Sequence, residues 1–197
     1  MTPQAESILE LFRSTGAYLE GHFRLTSGLH SSQYLQCALV LQHPLAAEKL
    51  GSMLAAEVRK LTSARIELVV SPALGGLIIG HETARALGAR FLFTERDPAN
   101  NKMSLRRGYT VESGETAVVV EDVITTGGST QDVVDLLREA GVKVVAAASI
   151  IDRSGGHASV GVPRVALATL HVAAHYPEEC PLCKLGIPVV KPGSRPI

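Results

Sequence analysis

Residues 116 to 130 constrain the fold of this chain more than any other stretch. Thr116 to Val120 is an uncharged run of strand length that ends in the paired acids Glu121 and Asp122. Val123-Ile124-Thr125-Thr126-Gly127-Gly128-Ser129-Thr130 then turns the chain into a helix-length segment. A run with no polar alternation needs cover on both faces, which a parallel sheet between helices supplies.

The same rhythm of apolar strand, glycine-bearing turn and helix begins at Ile66. It predicts strands at Ile66 to Val70, Arg90 to Thr94, Thr116 to Glu121, Val144 to Asp152 and Val165 to His171, with helices at 76 to 87 and 129 to 140. Upstream, Pro3, the i, i+4 pair Ile8 and Phe12, and Gly16 predict an amphipathic helix over 3 to 15 that lies as a flap on the core. Residues 22 to 40 mix short β-prone runs with Ser27, Gly28, Ser31 and Ser32, predicting short strands joined by polar turns, and Pro44 opens a helix reaching about Leu61. The expected fold class is α/β, a central and mainly parallel sheet flanked by helices. At 197 residues the chain is expected to form one domain whose core spans about 44 to 170.

Nineteen basic side chains balance nineteen acidic ones, so no overall charge draws the protein to nucleic acid or to an anionic membrane. No apolar run is long enough to span a bilayer, and Glu6, Glu10 and Arg13 interrupt the first twenty residues where a secretory signal would be apolar. Cys37, Cys180 and Cys183 are an odd, sparse set, as expected in a reducing cytoplasm. These features predict a soluble cytoplasmic protein.

The turn after Asp122 carries the chemistry. Free N–H groups and the positive dipole end of the following helix make an anion site, suited to phosphate. The chain lacks Gly-x-x-x-x-Gly-Lys-Ser/Thr and Gly-x-Gly-x-x-Gly, so neither a nucleoside-triphosphate loop nor a dinucleotide fingerprint is supported. Two acids before a phosphate cradle suit a phosphorylated sugar instead, with carboxylates accepting from ribose hydroxyls and backbone amides holding the 5′-phosphate.

The run from Val118 to Thr130 resembles the phosphoribosyl pyrophosphate (PRPP) motif of the type I phosphoribosyltransferases. Other segments, in order along nearly the whole chain, are similar to the orotate phosphoribosyltransferase family: Gly21-His22-Phe23-Arg24-Leu25-Thr26-Ser27-Gly28 with Ser31 and Tyr34, Ser71-Pro72-Ala73-Leu74-Gly75-Gly76, Glu95-Arg96 with Leu105-Arg106-Arg107-Gly108, and Ile151-Asp152-Arg153-Ser154-Gly155-Gly156. The resemblance implies a type I phosphoribosyltransferase fold with a hood from about 1 to 40 and 171 to 197, a mobile β-hairpin loop, and transfer of phosphoribose from PRPP to orotate in pyrimidine biosynthesis.

It further implies Glu121 and Asp122 on the ribose hydroxyls, and Val123, Ile124, Thr125, Thr126, Gly127, Gly128 and Ser129 around the 5′-phosphate. Gly75, Gly76, Arg96 and Lys102 would meet PRPP, and Arg106 and Arg107 would act in catalysis. Thr125, Arg153, Ser27 and Gly28 would meet orotate, with Asp152-Arg153 and the N-terminal segment carrying the choice of base. Mg²⁺ is expected as cofactor, carried by PRPP and water without dedicated protein ligands. A homodimer with shared sites is expected, because in the family the loop reaches into the neighbouring subunit. The sequence departs from the better-known bacterial pattern, which has a lysine at Thr26, a Tyr-Lys pair at Leu74-Gly75, and a more basic loop after Arg96-Asp97. The alternatives are a phosphoribosyltransferase for another base and a PRPP-sensing regulator of the same fold, which would need a basic nucleic-acid face.

Two features stand beside the resemblance. From Arg90 to Gly108 five basic residues face two acidic ones, a net +3 in a neutral chain, and the stretch from Glu95 to Gly114 is long for a connector, as a lid would be. His171, His175, Cys180 and Cys183 have the residue types of a zinc site. On a strand, however, His171 and His175 would lie roughly 13 Å apart, too far for one ion. The Cys-Pro-Leu-Cys segment is therefore read as a C-terminal turn packed on the body.

Overall fold

The computed structural model describes residues 2–25, 27–170 and 172–192. Helix α1 (Pro3–Ser14) starts where expected: Thr2 Oγ1 accepts from Ala5 N–H at 3.2 Å and Pro3 takes the first turn. Its buried stripe, Ala5, Ile8, Leu9 and Phe12, packs on the last strand of the main sheet, so α1 belongs to the core rather than to the hood.

Strands β1 (Tyr18–Arg24) and β2 (His30–Leu35) pair antiparallel and are followed by the short helix α2 (Cys37–Leu41). Residues 37 to 40 are thus helical, not strand, and Cys37, Val40 and Leu41 are buried on one side of that turn. Helix α3 (Pro44–Leu61) buries Ala47, Leu50, Gly51, Leu54, Ala55 and Val58 at helical spacing.

The rest alternates as predicted: β3 (Leu68–Pro72), α4 (Gly76–Leu87), β4 (Arg90–Arg96), β5 (Met103–Leu105), β6 (Thr116–Ile124), α5 (Gly128–Glu139), β7 (Lys143–Asp152) and β8 (Arg164–Thr169). A two-residue β9 (Ala174–His175) and the turn-like α6 (Pro181–Lys184) complete it. The main sheet has the order β5-β4-β3-β6-β7-β8, parallel except for the hairpin strand β5. The smaller sheet is β1-β2-β9. The expected α/β class, with a mainly parallel sheet, flanking helices and a small N- and C-terminal hood, is what the chain adopts.

The strands bury both faces. Val118 and Val120 of β6 enter one core with α1, α3 and α4, while Ala117 and Val119 enter the other with Val133, Val134 and Leu137 of α5. Strand β6 runs three residues past its predicted end at Glu121, because Val123 and Ile124 keep pairing with Ile151 and Asp152. The predicted end of β8 at His171 lies outside the described residues.

The loop after β4 is less open than its composition suggested. Tyr109 stacks edge-on to Phe93 with ring centroids 5.3 Å apart, and Val111 packs on the second core, so the stretch after β5 is anchored by apolar contacts. What projects is the tip of the β4–β5 hairpin.

The topology locates the crevice. From β3 the chain crosses through α4 to β4 on one side, and from the adjacent β6 it crosses through α5 to β7 on the other. Their carboxyl ends therefore diverge, and open α/β sheets bind ligands at such a switch point.

Candidate functional site

The loop after β3 (Pro72 to Gly76) and the loop after β6 (Thr125 to Gly128) flank that crevice, with Glu121 and Asp122 on β6 between them. Three adjoining hollows, of about 600, 360 and 340 Å³, all include Asp122 in their walls. The first adds Arg24, Tyr34, Leu74 and Lys191, the second Gly75, Gly76, Arg96, Glu121 and Ser129, and the third Ser27, Tyr34, Thr125, Thr126 and Arg153.

Helix α5 opens on Gly127 at φ +86, a conformation that a side chain would strain, and a Cβ there would also strike Val160. No side chain caps this end, so the N–H groups of the first turn remain for an anion. Thr125 and Thr126 line the third hollow and Ser129 the second, which puts the anion site at the junction of the two.

Burial dominates the electrostatics of the acids. It pushes the Glu121 carboxyl up to about 7, although the Thr130 hydroxyl donates to Oε2 and favours the ionised form. Burial also raises Asp122, against the Val123 N–H that donates to Oδ1 at 2.9 Å. The Cys37 thiol beside it is raised well above its usual range by burial and by that carboxylate.

Arg153 is the opposite case. Burial pulls its guanidinium below its usual range, and among the described residues its buried Nε has no hydrogen-bond partner and its side chain no acidic partner. A half-buried cation of this kind is satisfied by an anion that enters with the ligand.

Asp152, expected beside Arg153 at the base, is turned away from the cleft. It accepts from Ser154 N–H at 2.8 Å, Gly156 N–H at 3.0 Å and Arg164 Nη1 at 2.8 Å, and so shapes the loop that carries Arg153. Asp152 closes β7 while Arg153 begins the loop beyond it, and the partners of Asp152 lie in that loop and on β8, which separates the two roles.

The structure thus brings together Glu121, Asp122, Thr125, Thr126, Ser129, Gly75, Gly76, Arg96, Ser27 and Arg153. Gly28 sits in the β1–β2 turn at φ +86, where its N–H donates to Leu25 O. Ser31, quoted with the N-terminal segment, is buried and donates to Ala173 O at 3.0 Å, a contact that holds β2 to the C-terminal segment. Lys102 lines none of these three hollows and lies in a separate one with Asp132, Asp135 and Glu139. Arg107 is held by both Glu95 oxygens at 2.9 Å, while Arg106 has no ion-pair partner among the described residues. Arg96 donates to Ser129 Oγ and Asp132, which ties the hairpin to the start of α5. Thr26 lies outside the described residues.

Gln36 and Lys191 also line the cleft, and sequence reasoning did not find them. Lys191 has no local signal. It arrives because Val190 pairs with β1, accepting from Arg24 N–H and donating to His22 O, each at 2.8 Å.

Comparison with known proteins places the chain in a family. Residues 39–164 match the phosphoribosyl transferase domain family. The orotate phosphoribosyltransferase of Pelotomaculum thermopropionicum is 52% identical over 98% of this chain and 98% of its own. That of Thermotoga petrophila is 52% identical over 95% of this chain and 98% of its own. Among solved structures, orotate phosphoribosyltransferase from Aeropyrum pernix superposes with a TM-score of 0.68 at 27% identity, covering 91% of this chain and 98% of that one. Half the residues along almost the full length are shared with proteins of one name, and the chain belongs to the orotate phosphoribosyltransferase family.

Proposed function

We propose that the protein transfers the 5-phosphoribosyl group of PRPP to a ring nitrogen of orotate, giving orotidine 5′-monophosphate and pyrophosphate. The observation that carries this reading is the arrangement around Asp122. One hollow joins it to the glycine loop after β3 and Glu121, and another joins it to the phosphate turn and the unpartnered Arg153.

The amides of Thr125 to Ser129 receive the 5′-phosphate, and Glu121 and Asp122 accept from the ribose hydroxyls. Arg153 offers its fork to the orotate carboxylate, a pairing that a neutral base lacks. As the C1′ to pyrophosphate bond lengthens, positive charge develops on the ribose ring, as in other glycosyl transfers. The two carboxylates lie where that charge appears, and this favours the transition state over the ground state.

Magnesium fits the donor set. The acids lining the cleft are Glu121, Asp122 and Glu95, the last already held by Arg107, which leaves two carboxylates rather than a cage. Such a set suits an ion that keeps its waters and pyrophosphate oxygens, with Glu121 or Asp122 as its nearest protein groups. When bound, the ion neutralises charge on the leaving pyrophosphate.

We place the protein in the cytoplasm, in keeping with three cysteines that form no disulfide and no helix among the described residues long and apolar enough to cross a membrane. The test is loss of orotate absorbance with PRPP and Mg²⁺, run beside uracil, hypoxanthine and adenine. Conversion of orotate alone is expected, and conversion of a purine without orotate would overturn the assignment.

A further inference from the structure

Outside the walls of the three hollows around Asp122, four side chains from both ends of the chain converge. His22 comes from β1, His30 from β2, Cys180 from the N-cap of the short helix α6 and Cys183 from within it. Their ligand atoms all lie within 4.8 Å of one another, and His22, His30 and Cys180 are buried. We propose that these four residues form a tetrahedral structural zinc site that clamps the C-terminal segment onto the β1–β2 hairpin.

The lone-pair count at His22 separates a metal from a hydrogen-bond network, and two of the spacings there, to Cys180 and Cys183, already fall in the range of a zinc site. Zinc bonds of the usual lengths in a tetrahedron put the ligand atoms about 3.3 to 3.8 Å apart. Here His22 Nε2 lies 2.9 Å from His30 Nδ1, 3.4 Å from Cys180 Sγ and 3.7 Å from Cys183 Sγ, and Cys183 Sγ lies 3.2 Å from His30 Nδ1. Three groups thus converge on His22 Nε2. Its Nδ1 lies 2.7 Å from the Ile187 carbonyl, which requires the proton on Nδ1 and leaves one lone pair on Nε2. One lone pair cannot accept from three donors, whereas a central cation takes all four ligands. The carbonyl that fixes the tautomer also orients the ring, as partners of zinc-bound histidines do.

Local structure builds each half. The β1–β2 register slips between Glu20 and Phe23, and this bulge buries His22 and Phe23 in succession. The two cysteines sit at Cys-x-x-Cys spacing on a turn closed by Lys184 N–H to Cys180 O and Gly186 N–H to Cys183 O. Binding would release the two thiol protons to solvent. Two thiolates and two neutral imidazoles then leave zinc with no net charge, which suits a mostly buried site.

The clamp joins residues 158 apart in sequence. Beyond it the chain runs through Ile187 to Val190, which pairs with β1, and on to Lys191 in the wall of the cleft. The site therefore holds a piece of the ligand-binding wall from outside it.

The test uses the full chain, without an affinity tag, purified without chelator. Elemental analysis should find about one zinc per chain, and titration with a mercurial in the presence of a zinc-binding dye should release it. After chelation and dialysis, cobalt(II) should give the d–d bands of a tetrahedral site together with thiolate-to-cobalt charge transfer. Cys180→Ser, Cys183→Ser and His22→Ala should each lose the metal. His175→Ala should keep it, since His175 is not among the four. A wild-type chain that takes up neither zinc nor cobalt in this geometry overturns the proposal, and so does zinc retained by the Cys180→Ser/Cys183→Ser double variant. The wild-type measurements decide even where a variant fails to fold.

Discussion

The Asp122 carboxylate fills the space where a side chain on Gly75 would begin: a Cβ there would lie 2.6 Å from Oδ1 and 2.7 Å from Oδ2. The loop after β3 and the acid on β6 are fitted to each other, and only glycine permits the approach. Gly75→Ala should therefore turn Asp122 into the cleft rather than unfold the chain, since that carboxylate borders open space. A fall in kcat/KM of about 10²-fold, matched by Asp122→Asn, is expected with little change in Tm. Steady-state kinetics beside thermal melts check it. Near wild-type turnover in Asp122→Asn would remove that residue from the site.

Arg153 gives a prediction in which function and stability part. Its guanidinium is drawn from water without an acidic partner among the described residues, so the folded chain gains little from its charge. Arg153→Ala should raise the KM for orotate by about 10- to 100-fold, the loss of a charge-assisted contact, while PRPP binding changes far less. Tm should hold or rise. Equal weakening of both substrates would count against a role specific to the base.

Much of this was legible in the sequence because its signals are local. An uncharged run, two acids and a glycine turn lie within fifteen residues, and they foretold β6, the carboxylate pair at its end and the glycine turn that opens α5. What was not legible depends on chain ends meeting. Cys180 and Cys183 read as a turn, because the histidines near them in sequence were His171 and His175. The ones near them in space, His22 and His30, are separated from them in sequence by every strand of the main sheet. Lys191 was hidden for the same reason. Asp152 was misplaced because adjacency in sequence was taken as adjacency in the site, whereas Ser154, Gly156 and Arg164 engage its carboxylate.

Glu121 makes stability depend on pH in a defined direction. Burial raises its carboxyl from 4.5 to about 7, with Asp122 adding to the rise and Thr130 and Arg96 opposing it. A carboxyl raised in the folded state keeps its proton after the unfolded chain has released it. The stability this gives is full below about 4.5 and is lost as pH rises through about 7. Urea unfolding across that window should show wild type losing stability relative to Glu121→Gln, which has no proton to lose. Parallel profiles would show that Glu121 titrates normally.

The hairpin after β4 leads to quaternary structure. Arg107 is fixed in its own subunit by both oxygens of Glu95, at φ +64, whereas Arg106 beside it has no ion-pair partner among the described residues. The family resemblance implies that such a loop serves a pyrophosphate in a neighbouring copy, and the glycine loop after β3, which has no basic side chain of its own, leaves that role to a cation such as Arg106. A lid of that kind brings charge to the leaving group and excludes water only while substrate is bound. We expect a homodimer with shared sites, and subunit complementation tests it. An Arg106→Ala/Arg107→Ala chain and an Asp122→Asn chain should each be nearly inactive alone. If the loop acts in trans, a hybrid dimer contains one site with both defects and one intact site. At equal concentrations half of the dimers are hybrids, so activity should return toward about a quarter of wild type as subunits exchange. Exchange is verified by mass spectrometry of differently tagged chains. No recovery despite that exchange would show that the loop serves its own subunit or that the protein works as a monomer.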